Sequence, residues 1–237
     1  MEQSSLTLIL TAASIGFIHT LIGPDHYIPF IAMSKAGNWS KAKTIWVTII
    51  AGVGHVLSSV VLGIIGIALG IAVTSLEIVE SFRGELAGWL LITFGLLYFA
   101  WGIRYLYKNK KHSHPHFHED GIFHTHNHDH TAEHSHIHES KKVNSLTPWI
   151  IFTIFLFGPC EPLIPLLMFP AMNHSVLTLV FVTITFSVAT IGTMVAVVTG
   201  SIYGLKIISF KGFEKYSHAV AGGLILICGL SIKFLGL

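Results

Sequence analysis

Six apolar runs, each long enough to cross a bilayer, are what most restrict the folds open to this chain. They cover about 6–33, 44–73, 85–107, 146–171, 175–205 and 216–237, and one helical crossing needs roughly 20 apolar residues. Only 11% of the 237 residues are charged and mean hydropathy is +0.68, whereas soluble domains carry about 25% charge. No series of ten-residue segments with alternating polarity suggests a membrane β-barrel. The expected fold class is all-α, a polytopic membrane protein of six transmembrane helices.

Basic residues give the expected orientation. Lys35, Lys41 and Lys43 follow the first run; Arg104, Lys108, Lys110, Lys111, Lys141 and Lys142 flank the third connection; Lys206, Lys211 and Lys215 follow the fifth. The other side has Arg83 in its loops and Lys233 near the end. By the positive-inside rule both termini are external and the first, third and fifth connections are cytoplasmic. The sequence therefore predicts an integral protein of an inner or plasma membrane. The start, Met1 to Ser5, has no basic region of a cleavable signal, so the first span is expected to be retained. A net charge of +2 follows from topology and gives no reason to expect nucleic acid as a partner.

The chain repeats itself. At an offset of 135, Gly23-Pro24 falls on Gly158-Pro159 and Val47-Thr48-Ile49 on Val182-Thr183-Ile184. At 134, Ala87-Gly88 falls on Ala221-Gly222 and Gly95-Leu96 on Gly229-Leu230. Three spans per half is an odd number, so the halves enter the membrane from opposite sides. This predicts a 3+3 inverted-topology repeat, 1–107 and 143–237, separated by a loop over 108–142. Such folds carry their sites near the midplane, where interrupted helices of the two halves meet. Pro24, Pro29, Pro159, Pro162 and Pro165 should break the first and fourth spans, since proline removes a backbone donor and clashes with the preceding turn.

Two acids stand inside apolar runs beside those prolines, Asp25 and Glu161. A carboxylate there costs several kcal/mol unless paired, which makes it a functional-site hypothesis by default. His19, His26, His55 and Cys160 accompany them. Nitrogen and sulfur donors favour nickel, cobalt, copper or zinc over magnesium or calcium. The expected ligand set is His19, Asp25, His26, His55, Cys160 and Glu161, with the two carboxylates offsetting one divalent charge. Ser58, Thr190 and Thr193 are expected to support it; back-bonding to the i−4 carbonyl is the ordinary alternative for such hydroxyls. A lone intramembrane histidine such as His55 can equally serve as an interhelical hydrogen-bonding residue. Glu77, Glu80, Glu85 and Glu214 read as solvated or interfacial charge.

Between Lys108 and Lys142 the composition changes. His112, His114, His116, His118, His124, His126, His128, His130, His134, His136 and His138 account for eleven of the sixteen histidines. Alternating histidine at this density reads as a low-affinity metal-binding tract, and too few apolar residues remain for it to fold alone. A pH-sensing loop is the alternative.

The run His19-Thr20-Leu21-Ile22-Gly23-Pro24-Asp25-His26, followed by a His-rich cytoplasmic loop, resembles the nickel/cobalt transporter family. The likeness extends to its efflux branch and to urease-accessory-type membrane proteins. It implies transport of Ni²⁺ or Co²⁺, with His19, Asp25 and His26 in contact with the ion. Pro159-Cys160 also looks like the disulfide-carrying membrane domains of cytochrome c biogenesis. That likeness implies electron transfer through Cys160 and a second thiol, for which Cys228 is the available residue.

The function expected from these features is transport of a divalent transition metal, nickel or cobalt first, zinc or iron after them. The metal is substrate, no cofactor is expected, and the chain is not expected to be an enzyme. A homo-oligomer is compatible with the sequence. A thiol-disulfide electron carrier and a membrane metal sensor or store are the alternatives.

Overall fold

A computed structural model describes residues 3–108, 113–117, 123–127, 140–172, 175–207 and 214–235. Outside the histidine tract the described chain is helical: α1 (Gln3–Ile22), α2 (Ile28–Ala36), α3 (Lys41–Leu69), α4 (Val73–Lys108), α5 (Ser140–Phe157), α6 (Leu163–Met172), α7 (Val176–Ile207) and α8 (Ser217–Leu235). Five of these, α1, α3, α4, α7 and α8, are long and apolar enough to cross a membrane. The protein is a helical membrane protein. Within the tract, β1 (Ser113–Phe117) pairs antiparallel with β2 (Phe123–Asn127), setting His114 opposite His126 and His116 opposite His124 along the backbone. His112, His118, His128, His130, His134, His136 and His138 lie outside the described residues.

Two apolar runs are interrupted. The last α-helical bond of α1 is Gly23 N–H to the His19 carbonyl, 3.0 Å. Pro24 has no N–H to continue it, and the chain makes a single 3-10 turn over Pro24–His26 before α2 begins. The second interruption follows α5. Gly158 N–H closes on the Phe155 carbonyl at 3.0 Å, and Leu163 N–H then bonds the Cys160 carbonyl at 2.9 Å to start α6.

The turn between α3 and α4 is shorter than the hydropathy pattern predicts. Gly70 takes the left-handed conformation, φ 63°, that ends α3, and Ile71 N–H bonds back to the Gly66 carbonyl at 2.9 Å. This is the Schellman geometry that glycine permits without a Cβ penalty. Since α4 starts at Val73, the charged stretch from Glu77 to Glu85 lies inside the helix and not in a connecting loop. Its 36 residues span about 54 Å, well beyond a hydrocarbon core of about 30 Å.

The helices pack α4 on α8, α1 on α7, α3 on both α5 and α7, and α2 on α8. The α4–α8 contact is the tightest. A Cβ on Gly95 would run into the backbone of Leu226, one on Gly222 into that of Phe99, and one on Gly229 would stand 2.8 Å from the Ile92 nitrogen. Small residues let backbones meet in membranes, where packing has to replace the hydrophobic effect. The largest buried cluster joins Phe30 and Met33 of α2, Ile151 and Phe155 of α5, Met194 of α7 and Ile225 of α8. It lies directly against the first helix break.

Candidate metal site at the first helix break

The break between α1 and α2 brings His19 and His26 together, and α3 supplies His55. The His19 and His26 rings are 4.8 Å apart and the His26 and His55 rings 5.1 Å, each pair edge to face. Potential ligand atoms of the three lie within 4.8 Å of one another. Had α1 continued, residues 19 and 26 would sit two turns apart along one face; the 3-10 turn folds His26 back onto His19.

Hydrogen bonding fixes which ring nitrogen carries the proton. His26 Nδ1 stands 3.2 Å from the Gly23 carbonyl and 3.0 Å from Asp25 Oδ1. Both partners only accept when Asp25 is ionised, so Nδ1 carries the proton and Nε2 keeps its lone pair in the neutral ring. His55 Nδ1 stands 3.3 Å from the Phe155 carbonyl, which sets the same tautomer. Among the described residues, Nε2 of His19, His26 and His55 is buried without a hydrogen-bond partner in each case. A buried polar atom left unpaired costs free energy; three histidines that each carry one, with ligand atoms within 4.8 Å of one another, form a group that could hold a metal ion. An outer carboxylate or carbonyl on Nδ1 is the usual way that a ligating imidazole is oriented. Gly23 makes room for this, because a Cβ there would lie 2.6 Å from His26 Nδ1.

The cluster opens into a cavity of about 250 Å³. Beside the three histidines and Asp25 its walls include Gly84 and Leu91 of α4, Phe155 of α5, and Gly158 and Pro159 just beyond α5. Asp25 is partly shielded and is the single acid among the lining residues.

The predicted second-half ligands fall elsewhere. Cys160 is wholly buried, packed with Ala12, Val56 and Leu163 in an apolar cluster. Glu161 is exposed, and neither residue lines the cavity. The turn after Pro159 carries both side chains away from the histidines. Of the two acids expected to share one ion, Asp25 alone lines this cavity. Of the expected supporting hydroxyls, Thr193 bonds back to the Ala189 carbonyl at 2.7 Å. Thr190 is buried against Gly16 of α1, its hydroxyl unpartnered among the described residues. Ser58 donates to the His55 carbonyl at 2.7 Å.

The second break is instead met by a pair that sequence reading placed in solvent. Glu80 of α4 is fully buried and forms an ion pair with Arg83. Arg83 Nη2 donates to the Leu156 and Gly158 carbonyls at 3.0 and 3.3 Å, and Glu80 Oε2 accepts from Cys160 N–H at 3.1 Å. These are the backbone groups that the interruption frees. The spacing of Glu80 and Arg83, three residues apart as for a helical ion pair, was the signal available. Lys233 pairs with Glu85 across α8 and α4.

A membrane-embedded helical bundle with a three-histidine cluster at a helix break is the class that fold and site define. No family model, curated protein or solved structure matches the chain.

Proposed function

We propose that the protein is a membrane transporter for a divalent transition-metal ion, nickel or cobalt foremost, built as six spans in a 3+3 inverted repeat. The observation that carries this reading is three histidines with ligand atoms within 4.8 Å of one another, each with a buried Nε2 lacking a partner among the described residues, around a cavity that Asp25 also lines. Imidazole suits Ni, Co, Zn and Cu better than Mg or Ca, which want oxygen. Three nitrogen ligands leave coordination positions open, for water or for Asp25, and an incompletely caged ion can leave again. One carboxylate against a 2+ ion leaves residual positive charge, which also favours release over storage in low dielectric.

The contacts between α4 and α8 support the repeat. Under the offset of 134, Gly95 against Leu226 exchanges with Gly229 against Ile92. Gly222 against Phe99 likewise exchanges with Gly88 against Lys233. Contacts that swap into one another are the mark of a two-fold relation. The packing of α1 on α7 has its counterpart in α5 on α3. On this reading α1 with α2 forms one broken span and α5 with α6 another, and the ion sits between the halves, as in transporters of this build.

In the cycle, His19, His26 and His55 take the ion from water, Asp25 holds the His26 tautomer, and tilting of one half against the other changes which side the cavity faces. The histidine tract supplies loose binding outside the path. Radiometal flux into proteoliposomes tests this: Ni²⁺ or Co²⁺ should move with the wild type, and His26→Ala or His55→Ala should cut the rate by about 100-fold or more. Equal rates for wild type and both variants would refute it. Reversible oxidation of Cys160 with Cys228 during turnover would favour the thiol-disulfide alternative; both thiols are buried and unpaired among the described residues.

A further inference from the structure

Arg83 touches no expected ligand and does not line the cavity, yet it makes five hydrogen bonds. Nη1 donates to Glu80 and to Ser59 Oγ at 3.3 Å. Nη2 donates to Ser58 Oγ at 2.6 Å and to the Leu156 and Gly158 carbonyls, at and just beyond the end of α5. An arginine in a bilayer survives only if its charge and donors are met, and here a buried carboxylate and the open end of α5 meet them. The same end of α5 bears on His55. The Phe155 carbonyl accepts a hydrogen bond from His55 Nδ1–H, and a Cβ on Gly158 would stand 3.0 Å from that nitrogen. Ser58, bonded by Arg83, donates in turn to the His55 backbone carbonyl. Arg83 thus reaches His55 by two routes, one through its imidazole partner and one through its own backbone.

Resting on the ion-site reading above, we propose that Arg83, fixed by Glu80, is a positioning residue for the bound ion: it holds the α5 terminus and Ser58 so that His55 Nε2 stays aimed at the cluster. An intrinsically neutral clamp would let the α5 terminus relax and the His55 ring turn. The ion would then keep His19 and His26 and lose its third nitrogen.

Co²⁺ binding to the full chain in detergent, followed by its d–d absorption, tests this. Arg83→Met should weaken binding about 10- to 100-fold, as loss of an orienting partner does, and should change the spectrum towards fewer nitrogen ligands. Arg83→Lys should restore part of both. In the Arg83→Met/His55→Ala double variant the losses should not add, because one acts through the other. Should Arg83→Met fail to fold, Glu80→Gln/Arg83→Gln leaves no uncompensated charge and should show the same altered spectrum. Wild-type spectrum and affinity in these variants, or additive losses, would overturn the inference while leaving the ion site standing. No Co²⁺ binding by the wild type would overturn the ion site and this inference with it.

Discussion

The two helix breaks start from the same dipeptide and end in opposite chemistry. After Gly23-Pro24 the next residues are Asp25 and His26, and the break turns polar side chains inward onto His19 and His55. After Gly158-Pro159 come Cys160 and Glu161, and the break buries its thiol among aliphatics and leaves its acid exposed. The freed backbone of the first is met from within by its own 3-10 turn and by His26. That of the second is met from outside, by Glu80 and Arg83 of α4. The same Gly-Pro ends both helices, and the two breaks differ in whether polar side chains turn into the gap or a neighbouring helix fills it.

The largest effect that separates the breaks should come from the plug. Arg83→Met leaves Glu80 buried without its cation, and breaking such a pair from one side costs about 3–5 kcal/mol. Denaturant unfolding in detergent should register it, with Glu80→Gln/Arg83→Gln costing clearly less. A single-variant loss no larger than that of the double variant would mean the pair is solvated. Next is Asp25→Ala, which removes the carboxylate on His26 Nδ1 and should weaken Ni²⁺ or Co²⁺ binding about 10- to 100-fold; isothermal titration reads it directly. Gly23→Ala should follow at about 10-fold, since its Cβ must push the His26 ring off its acceptors, and Gly158→Ala gives the matched perturbation against His55. Smallest is Glu161→Gln. At an exposed position it should shift stability by no more than about 0.5 kcal/mol and leave flux unaltered. A flux loss comparable with that of Asp25→Ala would put the two acids back on equal terms.

Much of this was legible in the chain. Long apolar runs fix membrane helices because hydrocarbon offers no other partner for the backbone. Intramembrane polar side chains are rare enough that His19, Asp25, His26 and His55 stood out one by one, and they are the residues found around the cavity. Cys160 and Glu161 do not line it, because a residue's distance along the chain from a proline does not set its direction once the helix has stopped. Glu80 and Arg83 were missed for a different reason. Their charges lowered the local hydropathy, so the segment looked like a loop; only the position of Gly70 and a turn of three residues make it part of α4. Opposite charges at i and i+3 inside a greasy stretch deserved reading as a pair.

The glycine crossing of α4 and α8 has a mechanical side. Where one main chain rests on another there is no side chain to repack, so the spacing of α4 and α8 is set by the backbones themselves. Gly95 lies about three turns beyond Arg83 on α4, so the helix that carries the arginine is pinned against α8 at one level and against the end of α5 at another.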